Sequence, residues 1–411
     1  MTASADSIPS AGTSSSNLLG WTVVAFGFVA IAFSYAARAL LGLVMPIWES
    51  ELGWSRSLIS SGGALALIVM ALAAPVAGDL VDRFGPRKLL AAGLVILAAG
   101  LLSTTVSVEP WHFLISFGVV SGIGFGVVAV NAVFAAVAPY FDRNRGFVLG
   151  VVDSGSTIGQ FLLVPAAALL LALFDWRLGF VAIALICLAL VPLAWRGLPR
   201  QAAAVEAAQG VEPAARGRIA GLAASPAFHL LFWSFVLCGF TSSGVIETHF
   251  LPYAAFCGFA PVAAAGAFGF LSGVNLVGIL LAGWLSDRMH RPLLLAIIYA
   301  ARALTFVLLM NVGTDSARLY LFAGLFGLFD YATAPVVASL VASHLGLRVM
   351  GLAMGILSAG HAVGAAAGAL AGGVVFDFYG GYRELWLFSV TFALLAAVIA
   401  VCLKERRPAL A

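Results

Sequence analysis

The chain has 411 residues, of which 62% are hydrophobic and 9% charged, with a formal net charge of +3 and a mean hydropathy of +1.08. Soluble globular chains carry about a quarter charged residues, so no water-exposed fold accounts for this composition. The small net charge gives no ground for a nucleic-acid partner.

Residues 1–18 are rich in Ser, Ala and Thr, with Asp6 and no Lys or Arg. This segment lacks the basic start and short apolar core of a signal peptide and is expected to be a disordered cytoplasmic tail. Roughly 20 apolar residues span a bilayer. Such runs are predicted near 19–46, 58–81, 88–107, 112–138, 146–171 and 177–196, then near 226–252, 262–285, 292–311, 317–342, 350–377 and 384–404. Each must satisfy its own backbone in lipid, so all are read as helices. The expected fold is an all-α membrane protein with twelve transmembrane helices in two pseudo-symmetric six-helix halves, 19–196 and 226–404. A cytoplasmic linker, 197–225, joins them, its Ala-rich middle read as a surface helix, and residues 405–411 form a second cytoplasmic tail.

The halves carry a repeated charged hairpin. Gly78-Asp-Leu-Val-Asp-Arg-Phe-Gly-Pro-Arg-Lys88 is echoed by Gly283-Trp-Leu-Ser-Asp-Arg-Met-His-Arg291, at an offset of 205 residues. Each lies between two apolar runs, the mark of an internally repeated transporter. With both termini inside, fifteen of the 21 Lys and Arg residues fall on the inner side, four on the outer side and two, Arg38 and Arg302, within spans. That bias orients the chain with cytoplasmic ends. Glycine lines at four-residue spacing (118, 122, 126; 146, 150 with Ser154; 360, 364, 368, 372) predict close helix crossings. Cys187, Cys238, Cys257 and Cys402 form no CxxC pair, so neither disulfide nor metal framework is implied. With no P-loop, HExxH or GxSxG element, neither ATP-driven transport, an enzyme activity nor a cofactor is expected.

Twelve spans in two halves, with the first hairpin and its echo, resemble the major facilitator superfamily. The resemblance implies a cytoplasmic latch built from Gly78, Asp82, Arg83, Gly85, Arg87 and Lys88, with Asp287 and Arg288 in the second copy. Asp82 would meet a helix N-terminus or an arginine while the basic residues stay at headgroup level. The second copy is partial, since His290 stands for Gly85 and Pro292 for Arg87. Gly53-Trp-Ser-Arg-Ser57, Tyr140-Phe-Asp-Arg-Asn-Arg-Gly146 with Gly150, Gly155 and Gly159, and Arg38 in span 1 are similar to bacterial relatives of monocarboxylate transporters and oxalate–formate exchangers. The chain departs from that branch in span 8, offering Asn275 and Ile279 where an Asp and an Arg are frequent. It also lacks the span-4 arginine and the span-5 Gly-Pro pair of drug and sugar carriers.

Ionisable groups inside a span are costly and face cavities or partners. Ser34, Tyr35 and Arg38 share one helix face. Arg38 is read as an anion-binding cation, or as the structural partner of an acid in the other half. Span 7 carries Ser243, Glu247 and His249, with Glu247 either a proton acceptor or the gate partner of Arg38. His249 and Asp153 are further proton-coupling or gating candidates. Asp153, Thr157 and Gln160 make a polar stripe on span 5, and Ser272 with Asn275 and Ser358 with His361 lie on spans 8 and 11. In the superfamily these three spans line a central cavity. His361 would contact substrate or carry a proton, or else bond a backbone carbonyl; Asn131 is a weaker candidate. Arg302 and Asp330 both come near mid-membrane, preferred as a buried ion pair, with a second substrate cation at Arg302 as the alternative.

The sequence thus predicts a monomeric secondary transporter of the bacterial inner membrane, working by alternating access. Its substrate is a small organic anion, a monocarboxylate, bound by Arg38 with Tyr35, Asn275, His361 and Gln160 and accompanied by a proton. Export or exchange of an amphipathic compound is the second reading, and a non-transporting sensor the third.

Overall fold

The structure, a computed structural model, describes residues 13–137, 140–141, 145–198, 215–346 and 349–405; the side chains of 13–18, 78–79, 81–83, 131–132, 135, 145–147 and 215–218 lie outside the described set. Gly78, Asp82 and Arg83 of the expected latch, and Asn131, are therefore described only in their helical backbone. Among the described residues, twelve helices are long and apolar enough to cross a membrane. They are α1 Leu19–Glu51, α2 Arg56–Ala77, α3 Pro86–Thr105, α4 Pro110–Val127, α5 Val148–Leu173 and α6 Trp176–Gly197, then α7 Pro226–Phe256, α8 Pro261–Ser286, α9 Arg291–Met310, α10 Ser316–Leu345, α11 Met350–Tyr379 and α12 Arg383–Val401. No strand occurs among the described residues.

Several ends differ from expectation. The helix containing α1 begins at Thr13, so 13–18 continue it rather than belonging to a disordered tail, and it runs through Pro46 to Glu51. A helix satisfies its backbone internally, so polar residues can extend it beyond the apolar run. Of the linker, Ala215–Ala223 is a short helix; its Ala-rich middle lies outside the described residues. The expected fourth span is broken, with turn residues Val128 and Ala129 separating α4 from a helix at Val130–Val137. In the matching place of the second repeat, α10 is broken at Asp330–Ala332. Pro335 explains that break, because it offers no N–H to the Tyr331 carbonyl and its ring crowds that oxygen.

Helix pairs matched by the repeat pack alike. A Cβ at Gly159 of α5 would stand 2.4 Å from the Ala32 carbonyl of α1, and one at Gly364 of α11 would stand 2.0 Å from the Val236 carbonyl of α7. Only glycine allows backbones this close, where lipid gives no hydrophobic drive for association. Gly118, Gly122 and Gly126 abut α2 as expected, whereas Gly150 faces open space, and the α5 crossing runs through Gly155 and Gly159 instead.

The two six-helix sets meet at one end, which carries the α1–α2 turn and the end of α11. Gly53 takes a left-handed φ of 65°, Trp54 buries against Trp48 and Phe113, and the Ser55 hydroxyl accepts from Leu58 N at 3.2 Å, starting α2. Arg56, one of the four basic residues counted on the outer side, is 5% exposed. It bonds Glu49 at 2.9 Å and Tyr382 Oη at 2.7 Å, with its guanidinium 3.5 Å from the Phe376 ring. Asp377 of α11 accepts from Arg56 N at 3.1 Å and Ser57 N at 2.9 Å, capping α2 across the two halves. From this closed end inward, α1 packs on α7, α2 on α11 and α5 on α8.

Candidate functional site

Midway along the spans a cavity of about 230 Å³ is walled by Tyr35 and Arg38 of α1, Cys238 and Ser243 of α7, Asp330 and Tyr331 of α10 and His361 of α11, among others. Arg38 also borders a smaller space of about 30 Å³ shared with Gln160 and Glu247. Wide π-type turns at Gly159–Leu163 of α5 and Phe240–Ile246 of α7 lie beside these walls. Such turns shift the helix face that follows them and recur at functional sites.

The Arg38 guanidinium lies 3.9 Å from the Tyr35 ring centroid. Its Nη2 is 3.7 Å from Glu247 Oε2, an ion pair too long to be a hydrogen bond, and its Nε is buried without a partner. Glu247 Oε1 accepts from Ser243 Oγ at 3.2 Å and from the Tyr331 hydroxyl in a short contact. The structure thus brings Arg38 and Glu247 together and adds Tyr331, which the sequence reading missed. The available signal was Pro335, four residues beyond Tyr331, which breaks the helix and turns that side chain inward.

Arg302 and Asp330 are adjacent, but not as the expected side-chain ion pair. Arg302 Nη2 donates to the carbonyls of Phe329, at 2.8 Å, and of Asp330, in a short contact, while Nη1 donates to Cys238 Sγ at 3.0 Å. The break in α10 leaves those carbonyls without helical partners, and the guanidinium supplies the donors instead. Arg302 is fully buried and lines neither space. Asp330 Oδ1 is buried with no hydrogen-bond partner. No sequence signal marked Cys238.

Other expected site residues are placed differently. Asn275 is 1% exposed and its Oδ1 accepts from Tyr331 N at 3.1 Å, so it braces the α10 break instead of facing the cavity. His249 is fully buried, with Nε2 donating to the Ala369 carbonyl at 2.7 Å and the ring packed over Gly372; it is a structural histidine. Gln160 accepts from Ser272 Oγ at 3.2 Å and stays at the wall of the small space. His361 faces the cavity, its ring 4.8 Å from Phe235. Asp153 is exposed and walls neither space.

Of the described latch residues, Gly85 takes a φ of 80° ahead of Pro86, while Lys88 is exposed. Arg87 Nε donates to the Leu198 carbonyl at 2.6 Å and ties α3 to the end of α6. His290, standing for Gly85, has an ordinary φ of −69° and accepts from Leu293 N through its own ring, so no glycine is needed there. Asp287 is exposed and Arg288 lies over Trp284. The strong link in this half is Arg291, which bonds Glu405 at 2.7 and 2.8 Å and Ser339 at 3.0 Å. Burial alone would raise the Glu405 pKa, but the bonds and charge of Arg291, with His290 3.9 Å away, hold it below the usual carboxylate value.

Twelve apolar spans around a cavity walled by Arg38, whose ion-pair partner Glu247 borders the adjoining smaller space, define a multi-pass membrane transporter. The chain belongs to the Major Facilitator Superfamily, whose family model matches residues 27–348 and 274–411. It is 28% identical over 392 residues to the uncharacterized MFS-type transporter YcxA of Bacillus subtilis, covering 92% of this chain and 94% of that one. It is 26% identical over 407 residues to monocarboxylate transporter 11 of Mus musculus, covering 95% and 88%. The crystal structure of the nucleoside transporter NupG shares the fold, with a TM-score of 0.79 at 14% identity, covering 93% and 98%. The protein is a transporter related to the monocarboxylate transporters and, like others of its superfamily, binds a small-molecule substrate.

Proposed function

We propose that this protein is a secondary active transporter that moves a small monocarboxylate by alternating access with proton symport. The observation that carries the reading is Arg38, whose guanidinium faces the cavity with Nε unpartnered and only a 3.7 Å ion pair to Glu247. A planar fork with uncommitted donors suits a carboxylate, which accepts two parallel hydrogen bonds. Tyr35, Tyr331 and His361 complete the polar wall. The substrate carboxylate competes with Glu247 for Arg38, which links occupancy to the contact between α1 and α7. The cavity, about 230 Å³, is below the range of roughly 300–1,000 Å³ typical of drug-sized ligands, favouring a small acid over an amphipathic compound.

Residues 19–196 and 226–404 act as the rocking units of a monomer in the bacterial inner membrane, with both termini and the linker cytoplasmic. The closed end then faces outward and the cavity serves the cytoplasmic side. The test is uptake of labelled monocarboxylates into proteoliposomes at two pH gradients. Arg38→Ala should weaken substrate binding about 10- to 100-fold, the worth of a hydrogen-bonded charge pair, and Arg38→Lys should restore little. Unchanged affinity in Arg38→Ala would refute the site.

A further inference from the structure

We propose that Asp330 is the proton-carrying group of this cavity, taking up one proton with each anion bound. The assignment rests on the monocarboxylate reading above and names the residue that couples the two.

Asp330 is 5% exposed, lines the cavity and has a carboxylate oxygen, Oδ1, buried without a hydrogen-bond partner. Other charged and titratable groups surround the cavity on α1, α7, α9, α10 and α11. On α9, Arg302 commits its terminal nitrogens to Cys238 Sγ and to the carbonyls of Phe329 and Asp330, leaving the Asp330 carboxylate unbridged. Arg38 of α1, beside Tyr35, faces Glu247 of α7, and Tyr331 of α10 gives its hydroxyl to that same glutamate. His361 of α11 packs on Phe235. A buried carboxylate oxygen with no donor is an acceptor left open for a proton once a further negative charge enters the cavity.

Charge balance supplies the coupling. Arg38 and Arg302 carry two positive charges, Glu247 and an ionised Asp330 two negative ones, so the empty cluster is neutral. An arriving monocarboxylate adds one negative charge in a low-dielectric site, and a proton on Asp330 restores neutrality. Anion binding and Asp330 protonation therefore favour each other by the same factor. The step is one O–H bond formed with a proton entering from the open end, and the same bond broken on the opposite side after the halves rock. No electrons are transferred.

The test uses purified full-length protein with acetate, lactate and pyruvate as probe anions. Infrared difference spectra with and without anion should show a protonated-carboxyl band that Asp330→Asn lacks, while Asp330→Glu keeps it at a shifted frequency. Anion affinity in wild type should fall about 5- to 150-fold from acid to alkaline pH and become flat in Asp330→Asn. A band that persists in Asp330→Asn, or pH dependence lost in His361→Gln, overturns the assignment. Wild-type uptake with no carboxyl band overturns it as well while leaving the transport reading standing. Neither binding nor uptake of the three anions sinks both.

Discussion

Asp377 offers a direct measure of what holds the halves together. The first turn of α2 has N–H groups with no helical acceptor, and two of them, on Arg56 and Ser57, donate to Asp377 at 3.1 and 2.9 Å across the interface. Hydrogen bonds to a charged group are worth about 1.5–3 kcal/mol in favourable sites. Asp377 is exposed, however, and the freed N–H groups gain water on opening, so the net contribution falls to the helix-cap range, about 1–2 kcal/mol. At 1.4 kcal/mol per factor of ten, Asp377→Ala should shift the population about 5- to 30-fold away from this closed end. Spin labels at Val108 and Gly313, exposed positions at that end of the two six-helix sets, read the shift as a longer inter-label distance. Ser55→Ala is the control, because the Ser55 hydroxyl caps α2 from within its own chain segment and is indifferent to the other half. An unchanged distance distribution in Asp377→Ala, or an equal shift in Ser55→Ala, refutes the cross-half cap.

Two further outcomes follow from the geometry. Arg302→Met should cost about 1–3 kcal/mol in unfolding stability by stranding the Phe329 and Asp330 carbonyls, and adding Asp330→Leu should not recover it; recovery in a double-mutant cycle would restore the ion-pair reading. Glu405 has its pKa lowered in the folded state, so its bonds to Arg291 contribute stability above the ordinary glutamate value of 4.5 and lose it as pH falls through the lower folded value. Melting curves of wild type and Glu405→Gln should differ at neutral pH and converge in acid, and a difference independent of pH would contradict this.

The sequence by itself determined the membrane fold, the helix count and the repeat. These rest on quantities that one strand of chain carries alone: apolar run length against bilayer thickness, and the recurrence of a hairpin at half the chain length. Lone charges in apolar runs pointed to Arg38, Glu247, Arg302 and Asp330 because burying a charge is costly wherever the helix lies. What these charges touch was decided by tertiary structure. Arg302 turned from a carboxylate to carbonyls because Pro335 breaks α10 beside it, Asn275 went to that same break, and His249 found a carbonyl on α11. Arg56, counted only as one of the outer-side basic residues, became the buried centre of the closed end once α11 brought Phe376 and Asp377 to it. Partner choice depends on which faces of distant helices meet and on backbone groups released by local breaks, and neither is written in the spacing of a single span.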